Sequence, residues 1–254
     1  MMSEKVEKKS RLERRLERVT PDRTMLFSAG VLKWIAFACV CMNTFSVSVV
    51  QKLTMRAQAA GMDVTILAAI AVTLAMLAVM AIPMYAKLLT EGWKHTASPG
   101  RYLARLLGLA LVSEIPYDLA VKGDWMDLTE QNPVWGLALS LVVLMLFRWL
   151  RSRGKAVIPL QLLTVLAACG WATILKINCG VMLVLLTAAF FMLREHRYIS
   201  LVTGILFSAP QFPAPLGMLF VHCYGGQPAK HPKWIFYLLY PLQFLVCWYL
   251  TSLI

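Results

Sequence analysis

Charge is scarce in this sequence. Of its 254 residues only 15% are Asp, Glu, Lys or Arg, against about 25% in soluble domains, and 59% are hydrophobic. The deficit is uneven, since thirteen of the first 24 residues are charged while long later stretches carry none. That pattern excludes a water-soluble catalytic domain and leaves apolar spans joined by short loops. No glycine-rich phosphate loop or dinucleotide fingerprint occurs, and no repeat of roughly 20–50 residues is visible. No CxxC spacing occurs either, so Cys39, Cys41, Cys169, Cys179 and Cys247 read as small apolar residues within or beside spans. His222, Cys223 and His231 share one loop, but their spacing matches no strong ligand pattern, and no metal is expected.

What is present is a positive mean hydropathy and eight apolar runs. They lie near 31–50, 64–86, 102–121, 133–150, 156–175, 179–193, 198–221 and 234–254, each measured against the ~20 residues needed to cross ~30 Å of hydrocarbon. The reading is an all-α integral membrane protein, a polytopic bundle of about eight transmembrane helices, with residues 25–254 forming a single transmembrane domain. The sixth run is short. The seventh is interrupted by Pro210, Pro213 and Pro215 and is expected to be broken or re-entrant. Residues 1–24 hold five acids among eight bases with no small-residue cleavage site after them, which excludes a signal peptide. They are expected to form a basic cytoplasmic segment, an amphipathic helix near the bilayer surface.

Orientation follows from the Lys and Arg residues, which stay on the cytoplasmic side. With an inside N-terminus and eight spans, nineteen fall inside and six outside, which predicts a multi-pass protein of the cell membrane with both termini cytoplasmic. The same count assigns the basic pI to loops facing anionic lipid, so the bilayer is the expected partner and nucleic acid is not.

Ionisable and amide side chains inside spans are costly and mark contacts or sites. Glu114 and Asp118 stand four residues apart on one face of the third span, with Pro116 between them. They read either as a hydrogen-bonded pair at a helix end or as part of a site. Asn43, Asn132, Asn178 and Gln243 lie in or at the ends of spans, where amides bond across helices or line a polar pocket. His95 follows the second span beside Lys94, Arg101 and Arg105. A neutral imidazole among three cations suits a proton acceptor with neighbours that hold phosphates; an inert interfacial histidine is the plainer alternative.

Three stretches carry a family resemblance: LKWIAFACVCMN in the first span, EGWKHTASPGRYLARLLGLALVSEIPYDLA across the third, and WIFYLLYPLQFL in the last. They resemble the TraX family, membrane proteins linked to N-terminal acetylation of conjugative pilin and similar to transmembrane acyltransferases. The middle stretch is the specific one, keeping EGxxHT, a spaced Tyr and Arg, and SEIPxDLA in order. Between about 135 and 230 only the hydrophobic outline and INCG at 177–180 match. The chain also departs from the family pattern. Asn43-Thr44 stands for an Asp-His pair, Asn178-Cys179-Gly180 for Asp-Tyr-Gly, and Gln243 for a His. Thr44 cannot accept a proton near neutral pH as imidazole does.

The resemblance implies an acetyl-CoA-dependent N-acetyltransferase acting on a membrane or exported substrate such as pilin. It implies His95 as base or positioning group, Asn43 as donor toward the acyl carbonyl, and Lys94, Arg101 and Arg105 near the CoA phosphates. Glu114, Asp118 and Asn132 would face the acceptor amine. The departures support an alternative, a catalytically inactive TraX-like assembly or binding protein. A small-molecule transporter is a third reading, disfavoured by the lack of visible inverted repeats.

Overall fold

The computed structural model describes residues 27–152, 157–227 and 234–254; the basic segment 1–24 lies outside them. The described chain is helical, apart from two isolated parallel bridges, Phe27 to Tyr224 and Gln131 to Ile177.

The first helical run is one long rod. It comprises α1 (Ala29–Phe45), a π-helical turn (Ser46–Val50) and α2 (Gln51–Ala59). A π turn disturbs the regular i→i−4 ladder, and hydroxyls contribute alternative bonds there: Ser48 Oγ donates to Thr44 O at 2.5 Å and Ser46 Oγ to Ala71 O at 2.7 Å. The rod ends at Gly61, whose φ of +72° suits glycine. Next come α3 (Thr65–Ala78) and α4 (Ala81–Lys94). Asp63 starts α3 by accepting from Thr65 N at 2.9 Å. The break between α3 and α4 falls four residues ahead of Pro83, which has no N–H to give to the carbonyl of Val79.

Then follow α5 (Pro99–Val121), α6 (Pro133–Arg151), α7 (Val157–Ile174) and α8 (Gly180–Met192). Proline at the first turn begins α5 and α6, where a missing N–H costs nothing. Beyond them, α9 (Arg197–Ser208) leads through two 3₁₀ turns, Ala209–Gln211 and Ala214–Leu216, into α10 (Gly217–His222), and α11 (Trp234–Leu253) completes the described chain.

Contacts fix the direction of each helix. Arg148 lies over Trp93 at 4.5 Å and Arg151 over Phe191 at 5.4 Å, so α4, α6 and α8 finish at one end, here the basic end. Trp34 stacks on Phe236 at 4.9 Å, and Lys52 Nζ donates to Thr251 O at 2.8 Å, so α11 runs parallel to α1–α2 from the basic end to the far end. The segment 197–222 does not cross. Arg197 Nη2 donates to His222 O at 2.5 Å, which holds its two ends together, while Gln211 at the turn approaches Cys179 Sγ to 3.9 Å at the far end. The prolines therefore fold the expected seventh span into a re-entrant hairpin.

These directions bear on the expected number of spans. Five helical runs among the described residues are long and apolar enough to cross a bilayer: Ala29–Ala59, Thr65–Lys94, Pro133–Arg151, Val157–Ile174 and Trp234–Leu253. The 23-residue α5 also runs end to end but carries Arg101, Arg105, Glu114 and Asp118, and α8 has only 13 residues. Counting both, seven helical runs of the described chain extend from end to end beside one hairpin, and the expected count of about eight spans is not confirmed. In this arrangement the start of α1 and the end of α11 lie at opposite ends of the bundle. Gln227 and Trp234 both lie at the basic end.

The interior is assembled around α8, flanked by α4 and α6. Met84, Leu141, Leu144, Phe147, Val184 and Leu186 are fully buried there. In lipid, helices associate through close packing more than through exclusion of water. Gly136 and Gly180 let α6 and α8 approach closely: a Cβ on Gly136 would stand 3.1 Å from the Gly180 Cα. Ile66, Val112, Ile158 and Leu166 are exposed around the bundle and face the surroundings, as expected of lipid contacts.

Candidate functional site

The polar residues gather at two ends of α5. At the far end, Glu114 ties α5 to α6. Its carboxylate accepts from Trp135 Nε1 at 2.8 Å, from Asn132 N at 3.4 Å and from Asn132 Nδ2. Asn132 is fully buried. Its Nδ2 also donates to Ala110 O at 3.0 Å, and its Oδ1 caps α6 by accepting from Val134 N at 2.9 Å. Glu114 and Asn132 are thus in contact with each other, each already engaged by partners within the protein. One turn on, Asp118 Oδ2 accepts from Asp127 N at 3.0 Å, while its Oδ1 is buried with no hydrogen-bond partner among the described residues. Asp118 is the carboxylate of the predicted pair with an acceptor position left.

The connection from α5 to α6 supplies a second layer. Gln131 N donates to Lys176 O at 2.9 Å and Asn178 N to Gln131 O at 3.0 Å, which zips this loop to the turn between α7 and α8. The pairing places Glu130 beside Asn178, whose Nδ2 donates to Glu130 Oε1 at 2.5 Å and to Tyr117 Oη at 3.4 Å. Lys122 Nζ is 3.4 Å from Glu130 Oε2. Nearby, the Thr129 hydroxyl and N–H hold the Asp127 carboxyl below the usual carboxylate range. Lys122, Glu130, Lys176 and Asn178 border a cavity of about 440 Å³. Glu130, Trp135 and Lys176 were not among the predicted site residues. The charged loop GDWMDLTEQN was legible; its pairing with residues 176–178 was not.

At the basic end, Lys94, His95, Arg101 and Arg105 cluster around the turn from α4 to α5, all exposed. Lys94 Nζ pairs with Glu91 at 2.9 Å, and Glu91 also holds Lys87 at 3.2 Å. Arg105 donates to Arg101 O at 3.2 Å and sits 6.0 Å from the Tyr102 ring. His95 ends α4 as its cap residue. The structure brings these four together, away from the acidic group. Arg105 and Glu114 are nine residues apart on α5, about 14 Å at 1.5 Å per residue. Asn43 belongs to neither end. It is half-buried at the last turn of α1, fourteen residues or about 21 Å from Ala29.

A family model described as TraX protein matches residues 28–251. The chain belongs to the TraX family. No curated protein and no solved structure matches it. The match spans almost all of the described chain, so the TraX positions that depart from the family pattern can be located. Thr44 is buried and its hydroxyl donates to Val40 O at 3.1 Å. Asn178 bridges Glu130 and Tyr117. Gln243 is buried on α11 and neither amide atom has a partner among the described residues. In this TraX protein, INCG places Gly180 where a Cβ would meet Ile177 Cβ at 2.9 Å and Ala172 Cβ at 3.1 Å, which accounts for the glycine by packing alone.

Proposed function

We propose that this TraX-family membrane protein is an acetyl-CoA-dependent N-acetyltransferase whose donor and acceptor approach from opposite ends. The observation that supports it is the division of α5, with phosphate-type cations at one end and carboxylates at the other. Lys94, Arg101 and Arg105 hold the donor's phosphates, and His95 is a positioning residue beside them, because it stands too far from Glu114 and Asp118 to take a proton from an amine there. The thioester reaches inward to the depth of Asn43, whose amide donates to the acyl oxygen as charge develops on it. Asp118, whose buried Oδ1 has no hydrogen-bond partner among the described residues, takes one ammonium proton once the amine reaches it. The amine nitrogen then attacks the carbonyl, the C–N bond forms, the C–S bond breaks, and the thiolate leaves with the second proton. A membrane or exported acceptor such as pilin fits an acceptor side away from the cytoplasm.

The test is acetyl-CoA binding and amine-dependent thioester turnover by purified protein. Arg101→Ala is expected to weaken binding about 10–100-fold, the cost of a charge-assisted hydrogen bond. His95→Ala is expected to raise KM for acetyl-CoA more than it lowers kcat. Absence of acetyl-CoA binding by the unmodified protein contradicts the proposal.

A second reading, a non-catalytic TraX-like assembly protein, is favoured by Thr44 and Gln243, uncharged buried residues where the family pattern has histidines. Acetyl-CoA binding with no turnover for any amine would select it.

A further inference from the structure

The far-end cavity is bordered by none of Glu114, Asp118 and Asn132; its charged residues are Lys122, Glu130 and Lys176. Glu130 is oriented, since Asn178 holds Oε1 at 2.5 Å. Its other oxygen is loosely paired, 3.4 Å from Lys122 Nζ, longer than the roughly 2.7–2.9 Å of a direct charge-assisted bond. Lys122 finds no closer partner in Thr129, whose Oγ1 is 3.5 Å away. Lys176 stands on a pinned backbone, with φ of 51° and its carbonyl bound to Gln131 N, and its ammonium makes no hydrogen bond or ion pair with a described residue.

One oriented carboxylate, one loosely held cation and one unpaired cation around about 440 Å³ complement a ligand that carries both signs. We propose that this cavity binds a small zwitterionic primary amine, of amino-acid to dipeptide size, with its ammonium on Glu130 and its carboxylate on Lys176 and Lys122. An ammonium alone would leave Lys176 unpaired. A carboxylate alone would leave Glu130 with its loose contact. The depression is largely open to its surroundings, so a ligand there is held by its two charges more than by enclosure. The proposal goes beyond the acetyl-transfer reading, because Asp118 does not border this cavity and binding needs no acyl donor.

The experiment is calorimetric titration of the full-length protein in detergent with alanyl-alanine, its C-terminal amide and its N-acetyl derivative, without acetyl-CoA. The free dipeptide is expected to bind, and each blocked form to bind at least about tenfold more weakly, the loss of one charged contact. Lys176→Asn removes the ammonium while suiting the left-handed backbone, and should abolish discrimination against the amide. Glu130→Gln should abolish discrimination against the N-acetyl form. No binding of the dipeptide, equal binding of all three, or discrimination untouched by both variants overturns the proposal. Dipeptide binding that follows these rules in a protein that never turns over acetyl-CoA upholds the site and removes the transferase reading. Turnover of polypeptide amines with no dipeptide binding does the reverse.

Discussion

Glu114 and Asp118, one helical turn apart, have opposite fates. Glu114 accepts three hydrogen bonds from Asn132 and Trp135, so it acts as a clamp between α5 and α6. Replacing Glu114 by Ala strands three donors and is expected to cost about 3 kcal/mol of stability, read as a lower unfolding midpoint in detergent. Glu114→Gln keeps an acceptor oxygen and should cost less. An unchanged midpoint in Glu114→Ala would mean that the carboxylate is not structural. The i,i+4 spacing of these acids was readable in the sequence because helical periodicity puts both on one face. Which of them keeps a free oxygen was not, because that depends on Asn132, eighteen positions from Glu114, folding back to cap α6. Glu130 was missed for a similar reason: its partner Asn178 is 48 positions away and is reached only through the bridge between Gln131 and Ile177.

Among the elements, the hairpin 197–222 separates what sequence patterning could and could not supply. Its three prolines announced a break. Whether the chain continues across or turns back depends on the surface it meets. Gly217 lies against α4 and the turn before it, where a Cβ would clash with Met80 O and stand 2.7 Å from Pro83 Cγ. Gly217→Ala must therefore displace backbone, and is expected to cost about 2 kcal/mol by overpacking. Gly204→Ala meets the mobile end of Met218 and should cost less; thermal midpoints of the two variants check the order. A second element-level prediction concerns α11. Lys52 Nζ donates to Thr251 O at 2.8 Å and satisfies one carbonyl at its C-terminal end. Lys52→Met should cost about 0.5–1 kcal/mol through loss of a cation at a helix C-terminus, and no loss would argue against α11 running parallel to α1–α2. Most individual helices were legible from apolar length and from caps such as Asn132-Pro133. The direction of α11 was not, since it follows from the parity of everything before it.

For the whole molecule, the account depends on two chemically distinct ends joined by α5. Cations concentrate at the end holding His95, which the positive-inside rule predicts to face the cytoplasm, and the proposed function requires that orientation for access to acetyl-CoA. The opposite end holds the acidic network, the cavity and the end of α11. This arrangement needs an odd number of passes, with 197–222 returning to the side from which it entered. The direct test is labelling of single introduced cysteines, in a background without the native ones, by a membrane-impermeant maleimide applied to intact cells. The sites are Asp63→Cys, Thr129→Cys, His95→Cys and an added C-terminal cysteine. The account predicts labelling at 63, at 129 and at the C-terminus, with position 95 protected until the cells are permeabilised. A C-terminal cysteine protected together with position 95 would contradict it.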